Sequence, residues 1–257
     1  MNTIEKQKLS VLIITLNEEL YIKSLLEDLV FADEIIVIDS YSNDKTTAIV
    51  ESFKNVKLIQ NTFEDFTTQR NFALEKASNN WILFIDADEK LSPELKSEII
   101  NTINNPNPAS AYLVYRTFMF KNTKLRFSGW QTDKIFRLFD KLKCKYTTEK
   151  LVHEKLEIKG EIAVLKNKLI HYSYTNFDDY KAKMKRYGML KAREKFKKGH
   201  QPSFIMMLLH PIYTFLYQFI IRLGFLDRRN GIIICYLNAY SVFIRYKELK
   251  KITSSRI

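Results

Sequence analysis

Over the first 100 residues, short apolar runs alternate with stretches of helical spacing. Ser10–Thr15 (SVLIIT) and Glu34–Asp39 (EIIVID) are rich in β-branched residues and read as buried parallel strands. Glu18–Val30 sets Leu20, Leu25, Leu26 and Leu29 near helical spacing, and Asp44–Phe53 reads as a second helix. Val56–Gln60 follows as a strand, Thr67–Ala77 as a helix and Trp81–Ile85 as a strand. Ser92-Pro93-Glu94 then opens another helix, with Ser as N-cap and Pro at the first helical position. This alternation predicts a doubly wound α/β sheet with its ligands at the carboxyl ends of the strands.

The breaker cluster Asn104–Pro108 (NNPNP) changes the pattern. Ala111–Phe120, Lys134–Phe139 and Lys168–His171 read as strands, and from Asn176 onward the chain turns helical. The expectation is a catalytic α/β body over 1–175 and a helical C-terminal region over 176–257.

Charge divides the chain in a similar way. Up to residue 110 there are 10 Lys and Arg against 18 Asp and Glu; beyond it there are 31 against 11. The net charge of +12 is therefore an average of an acidic half and a strongly basic one. Lys181–Lys198 alone holds nine Lys or Arg and one acid, interleaved with Tyr180, Met184, Tyr187, Leu190 and Phe196. Such a helix is either a solvated face or a surface for anionic lipid. Phe204–Ile221 follows, nearly uncharged but interrupted by His210-Pro211 and Gln218. Helices lying in the membrane surface are favoured for it, ahead of core packing and a spanning helix. Only Cys144 and Cys235 are present, far apart and in no metal-ligand spacing, which fits a reduced, cytosolic setting. The start lacks the basic-then-apolar form of a signal peptide.

Polar residues collect at the strand ends. Thr15, Asn17 and Glu18 follow the first strand; Asp39 ends the next and Ser42, Asn43, Asp44 and Thr46 follow it; Asp86-Ala87-Asp88 ends WILFI. Singly, each is an ordinary cap or turn residue. Together they suit a nucleotide. Two carboxylates on one tight turn can hold Mg²⁺ or Mn²⁺ with phosphate oxygens as further ligands, and the ion can neutralise a departing diphosphate. Asp39 can accept hydrogen bonds from a base or ribose. Arg70, the only Arg in the first 110 residues, is a candidate phosphate clamp. No Gly-rich phosphate loop is present, which argues against a P-loop and a dinucleotide fingerprint.

The runs SVLIITLNEE, EIIVIDSYSNDKT and TTQRNFALEKASNNWILFIDADEKLSPEL resemble the GT-A glycosyltransferases of family 2. The later pieces KIFRLF, LVHEKL and IHYSY, a basic helix and a GFLD turn resemble the subgroup that adds glucose to the inner core of lipopolysaccharide or lipooligosaccharide. The resemblance implies a GT-A, Rossmann-like sheet and inverting transfer of a sugar, UDP-glucose being the expected donor. It gives Thr15, Asn17, Glu18 and Asp39 to the nucleotide and Arg70 to the base or diphosphate. Asp86 goes to the ribose and diphosphate, and Asp88 becomes the direct metal ligand. Glu154, in Val152-His153-Glu154, becomes the general base where many relatives have an Asp, with Asp133 in reserve. His153 would orient Glu154 or touch the acceptor. His171 is either a metal or diphosphate ligand or a satisfied structural histidine. Trp130 and Arg137 would line the donor–acceptor cleft.

The implied partners are a nucleotide diphosphate sugar, a lipid-linked anionic glycan and an anionic membrane, not nucleic acid. The implied location is peripheral or monotopic, at the cytoplasmic face of the inner membrane. Another lipid-linked or capsular glycan is the alternative acceptor. A metal-dependent nucleotidyltransferase would want a phosphate-cradling Gly loop, and a nucleic-acid-binding module leaves the acidic strand ends unexplained.

Overall fold

Parallel pairing of buried apolar strands builds the first half of the chain. In a computed structural model, residues 6–121, 123–147, 155–174 and 176–254 are described. Strands β1 (Leu9–Thr15), β2 (Glu34–Asp39), β3 (Val56–Gln60) and β4 (Trp81–Asp86) pair in parallel in the order β3-β2-β1-β4. Helices α1 (Ile22–Asp28), α2 (Thr46–Glu51) and α3 (Phe66–Lys76) connect them, and α4 (Pro93–Ile103) follows. Because side chains alternate across a strand, Val11, Ile13, Val37 and Leu83 pack with Leu25, Leu26 and Ile99 of α1 and α4. Leu12, Ile36, Ile38 and Phe84 pack on the other face with Ala73 of α3. Each such buried Leu or Ile stabilises the fold by about 1.5–3 kcal/mol relative to exposure.

The sheet is mixed rather than parallel throughout. Strands β5 (Glu89–Lys90), β6 (Ala111–Phe120), β7 (Thr123–Lys124), β8 (Lys134–Asp140), β11 (Ile162–Val164) and β12 (Leu169–Tyr174) join the first four in one ten-stranded sheet, while β9 (Cys144–Thr147) and β10 (Lys155–Ile158) form a separate antiparallel ribbon. β8 runs antiparallel to both β4 and β6. Its register on β6 jumps from Tyr112↔Leu138 to Leu113↔Phe136, which leaves Arg137 as the extra residue of a β-bulge.

Local chemistry sets the helix limits. Ser92 Oγ accepts from Leu95 N–H at 3.2 Å with Pro93 behind it, and Asp65 accepts from Thr68 N–H at 2.8 Å. The first two helices are shorter than their apolar spacing predicts. Asn17 sits at φ 58°, and the N–H groups of Asn17, Glu18 and Glu19 bond to side chains of the next loop, so the helix waits until Ile22.

The chain divides into two compact units. One runs through Arg116 and from Lys134 to His171; the other takes Thr117–Asp133 and continues from Tyr172. A single boundary at 175/176 was expected, whereas 117–133 belongs with the C-terminal helices. In that second unit, α5 (Phe177–Lys197), α6 (Phe204–Leu216, continued by a π-helical turn over Tyr217–Ile221) and α7 (Arg228–Ser254) follow one another. Phe118, Phe120 and Leu125 pack with Tyr180, Met184, Ile234 and Leu237. Gly188 admits α7 so closely that a Cβ there would lie 2.6 Å from the Ser241 carbonyl oxygen. At Gly231 a Cβ would lie 1.8 Å from the Gly224 carbonyl oxygen.

That contact is with backbone, which cannot step aside. Gly231→Ala is therefore expected to cost roughly 3 kcal/mol, at the upper end for overpacking. A lowered denaturant midpoint for α-helical circular dichroism checks it.

Candidate active site

Two polar clusters stand at the carboxyl ends of the parallel strands. The first ties the loop after β1 to the loop after β2. Asp39 is fully buried, in register with Thr15. It accepts from Thr15 Oγ1 at 3.2 Å, Ser42 N–H at 2.9 Å and Gln60 Nε2 at 3.4 Å. Asn17 closes the loops from above: its N–H donates to Ser42 Oγ at 2.8 Å and its Oδ1 accepts from Asn43 N–H at 2.9 Å. Glu18 N–H donates to Thr46 Oγ1, and Asp44 accepts from the Thr46 N–H at 2.9 Å, so the second helix starts at Thr46 instead of Asp44. Those bonds hold the Asp44 carboxyl below the usual carboxylate range, against the upward push of burial. Thr15, Asn17, Glu18 and Asp39 thus meet in one preorganised loop pair.

The second cluster is ionic and gathers on the turn Asp86-Ala87-Asp88-Glu89. Arg137, 1% exposed on its bulge, donates through Nη2 to Asp86 and, at 2.6 Å, to Glu89 Oε1. Glu89 Oε2 accepts from the Asp86 N–H at 3.0 Å, closing the turn on itself. Arg70 reaches Asp86 Oδ1 at 3.5 Å, with its guanidinium 4.8 Å from the Phe84 ring centroid and 5.5 Å from that of Tyr146. Cation–π contact of this kind steadies a buried guanidinium. His171 Nε2 donates to Asp88 Oδ2 at 3.1 Å, which leaves Nδ1 to accept from Arg116 Nη1 at 3.5 Å; Arg116 is also 3.8 Å from Glu89. Strand pairing makes this possible, since His171 lies opposite Glu89 across β12 and β5.

Burial alone would raise the Asp86 carboxyl, but the charges of Arg137 and Arg70 overcome it and hold it well below the usual range. Glu89 goes the other way: burial and the neighbouring Asp86 charge lift it further than Arg137 lowers it. Arg137 stays protonated because its two carboxylates outweigh its own desolvation. The site therefore presents fixed charges of both signs within one turn, with Asp86 and Asp88 both partly open to solvent and Glu89 enclosed.

Arg70, Asp86, Asp88, Arg137 and His171 are brought together, but Arg137 is enclosed and does not line a cleft. Trp130 and Asp133 belong to the other unit, where the Trp130 ring packs 4.1 Å from that of Phe118 and the Asp133 N–H donates to the Trp130 carbonyl at 3.2 Å. His153 and Glu154 lie outside the described residues. A groove of 1220 Å³ lined by Asn71, Phe136, Lys143 and Lys155 contains none of the charged cluster. Sequence reasoning missed Glu89 and Arg116. The signals available were a third acid directly after Asp-x-Asp and an Arg inside the otherwise apolar run AYLVYRTFMF.

Residues 10–159, which carry both clusters up to β10, match the glycosyl transferase family 2 pattern. The chain belongs to this family. An uncharacterized glycosyltransferase of Rickettsia bellii is 31% identical to it over 98% of this chain and 90% of its own. The lipopolysaccharide core biosynthesis glycosyltransferase LpsC of Rhizobium meliloti is 27% identical over 95% of this chain and 94% of its own. Among solved structures, residues 1–349 of S. aureus TarS superimpose with a TM-score of 0.48 at 18% identity, over 98% of this chain and 92% of that one. A family-2 glycosyltransferase therefore carries this charged turn at the strand end.

Removing Arg137 from that turn takes away the one guanidinium bonded to both carboxylates and leaves them only the longer contacts of Arg70 and Arg116. Arg137→Met is expected to cost about 3–5 kcal/mol, the range for breaking a buried ion pair. Arg137→Lys, which keeps the charge without the fork, should recover part of the loss. Urea denaturation of the two variants checks both.

Proposed function

We propose that this family-2 glycosyltransferase moves glucose from UDP-glucose, with inversion, to the inner core of a lipopolysaccharide or lipooligosaccharide. It does so at the cytoplasmic face of the inner membrane. The observation that carries the reading is the Asp86–Glu89 turn, with Asp86 and Asp88 partly open to solvent, Asp88 beside His171 and two guanidiniums on Asp86. The acceptor class is supported by the end-to-end similarity to LpsC.

In this reading the loop pair of Thr15, Asn17, Glu18 and Asp39 receives the nucleotide. Asp39 is held rigid by its own donors, so base and ribose meet a fixed surface. Arg70 and Asp86 fix the ribose–diphosphate end. A Mg²⁺ or Mn²⁺ ion fits beside them. Asp88 Oδ2 and His171 Nε2 lie 3.1 Å apart, and no group of three His, Cys, Asp or Glu able to hold a metal occurs among the described residues. Such a pair suits an ion that completes its coordination with substrate phosphate and water. The ring proton then belongs on Nδ1, and Arg116 has Glu89 as its other partner. When bound, the ion neutralises charge on the departing diphosphate. Glu154 takes the proton from the acceptor hydroxyl as its oxygen attacks the anomeric carbon from the face opposite the diphosphate, which inverts the centre. Asp133 is the reserve base.

Thermal shift against a panel of nucleotide sugars, followed by transfer to a truncated core acceptor, tests donor and acceptor in turn. UDP-glucose should give the largest shift. Asp88→Ala should lower transfer by more than about a hundredfold. Glu154→Gln should lower transfer by roughly 10²–10⁴-fold while leaving the donor shift intact. Normal transfer by Glu154→Gln removes the base assignment, and transfer of a different sugar removes the donor.

A further inference from the structure

Helix α6 turns polar groups toward α7: His210 Nδ1 lies 2.9 Å from the Tyr246 hydroxyl, and Gln218 Oε1 of the turn that continues it accepts from Asn238 Nδ2 at 2.8 Å. The outward side is apolar. Phe204, Ile205, Leu209, Ile212 and Ile220 are each more than half exposed, and no residue of Phe204–Ile221 is buried. Leu223, Phe225 and Leu226 of the following turn are exposed too. A helix folded in water against a partner shows the reverse distribution, with its apolar stripe inward. An apolar face this extensive on a soluble protein marks an interaction surface.

Cations lie nearby. Helix α5, which precedes it in the chain, carries eight Lys and Arg between Lys181 and Lys197. Arg245 Nη2 lies 3.4 Å from His210 Nδ1, its Nε is buried with no partner, and neither Arg245 nor Lys195 has a carboxylate partner among the described residues. Burial, together with the charges of Arg245 and Lys195, pushes the His210 imidazole down, so it adds no charge of its own. The charges of Arg245 and Lys195 beside an exposed apolar helix are complementary to an anionic bilayer, whose phosphates and acyl chains lie at adjacent depths.

The ends of α6 settle its direction. Ser203 caps its start, accepting from Met206 N–H at 3.3 Å, directly after the basic α5. Beyond its end, the Arg222 carbonyl accepts from Ser128 N–H at 2.9 Å, and Asp227 accepts from the N–H groups of Arg126 and Phe127. The end of the helix is thus tied to the polar 126–128 segment of the same unit. The 18 residues rise roughly 27 Å at 1.5 Å each, short of the hydrocarbon thickness, and a crossing would carry the 126–128 segment with it.

We propose that α6 and the Leu223–Leu226 turn lie in the plane of an anionic bilayer, outward apolar side chains among the acyl chains, with the α5 cations, Arg245 and Lys195 on lipid phosphates. This surface does not depend on which sugar or acceptor the active site uses.

The test is synthesis of the full chain in a cell-free system with preformed vesicles, followed by flotation. The wild type should float with equimolar phosphatidylcholine and phosphatidylglycerol and far less with phosphatidylcholine alone. The double variant I205E/I212E should lose at least about tenfold in flotation, because two charges enter the acyl region. Lys195→Gln and Arg245→Gln should each lower flotation with the anionic vesicles by roughly fivefold and leave the neutral ones unchanged. Circular dichroism of the released variants confirms that they are folded. Wild type that stays unfloated with anionic vesicles overturns the proposal. So does equal flotation of I205E/I212E, or a vesicle-indifferent dimer that Ile212→Glu disperses, since a second copy then covers the face. Thermal shift with UDP-glucose on the same preparations reports the donor reading separately.

Discussion

One buried guanidinium, shared by two carboxylates, organises the charged turn at the carboxyl end of the sheet. Arg137 reaches Asp86 and Glu89 only because the bulge on β8 turns it toward the end of β4. Taking three charged groups out of water is expensive, and a buried ion pair is weak evidence for stability. What the arrangement supplies is a fixed turn. Glu89 is bonded at one oxygen to the guanidinium and at the other to the Asp86 N–H, so the backbone of Asp86-Ala87-Asp88 is held by its own side chain. Asp88 is the carboxylate that Arg137 does not hold, with His171 as its partner. Elements distant in sequence converge on this turn: α3 through Arg70, β6 through Arg116, β8 through Arg137 and β12 through His171.

The neighbouring loop pair is organised by a different means. Around Asp39 the partners are hydroxyls, a backbone amide and a carboxamide rather than cations. Neutral hydrogen bonds of this sort contribute modestly to stability one by one. Their value lies in number and direction, since Asn17, Ser42, Asn43 and Thr46 lock two loops that would otherwise be ordered only on binding. A turn held by ion pairs thus stands beside a loop pair held by neutral donors.

Much of this was legible in the sequence for local reasons. Strands β1, β2 and β4 are buried on both faces, so their apolar runs stand out, and the caps at Ser92 and Asn176 announce their helices. The acids at the strand ends follow from the same reading. What stayed hidden depends on long-range pairing. In the run Phe136-Arg137-Leu138-Phe139 the Arg reads as an outward residue; the bulge and the distant Asp86 turn it inward. The ribbon of β9 and β10 does alternate, Cys144, Tyr146 and Leu156 inside with Lys145, Lys155 and Glu157 outside, but each strand is only four residues long. Glu18–Val30 and Asp44–Phe53 overran because helical spacing cannot show that the first turn is spent on loop-to-loop bonds.

For α6 the difficulty is of another kind. Length and composition cannot separate a core helix, a spanning helix and one that lies on a surface. Periodicity does not help, because a stripe of polar residues looks the same whether it faces water or the protein. The partners of that stripe break the degeneracy: His210 meets Tyr246 and Gln218 meets Asn238, so these polar groups face inward while Phe204, Ile205, Leu209 and Ile212 stay exposed among the described residues. The basic charge next to it acquires its meaning from that geometry. Cations on α5 alone fit any polyanion; Lys195 and Arg245 beside an exposed apolar helix whose far end is tied to the 126–128 segment fit a surface that is charged at one depth and hydrocarbon at the next.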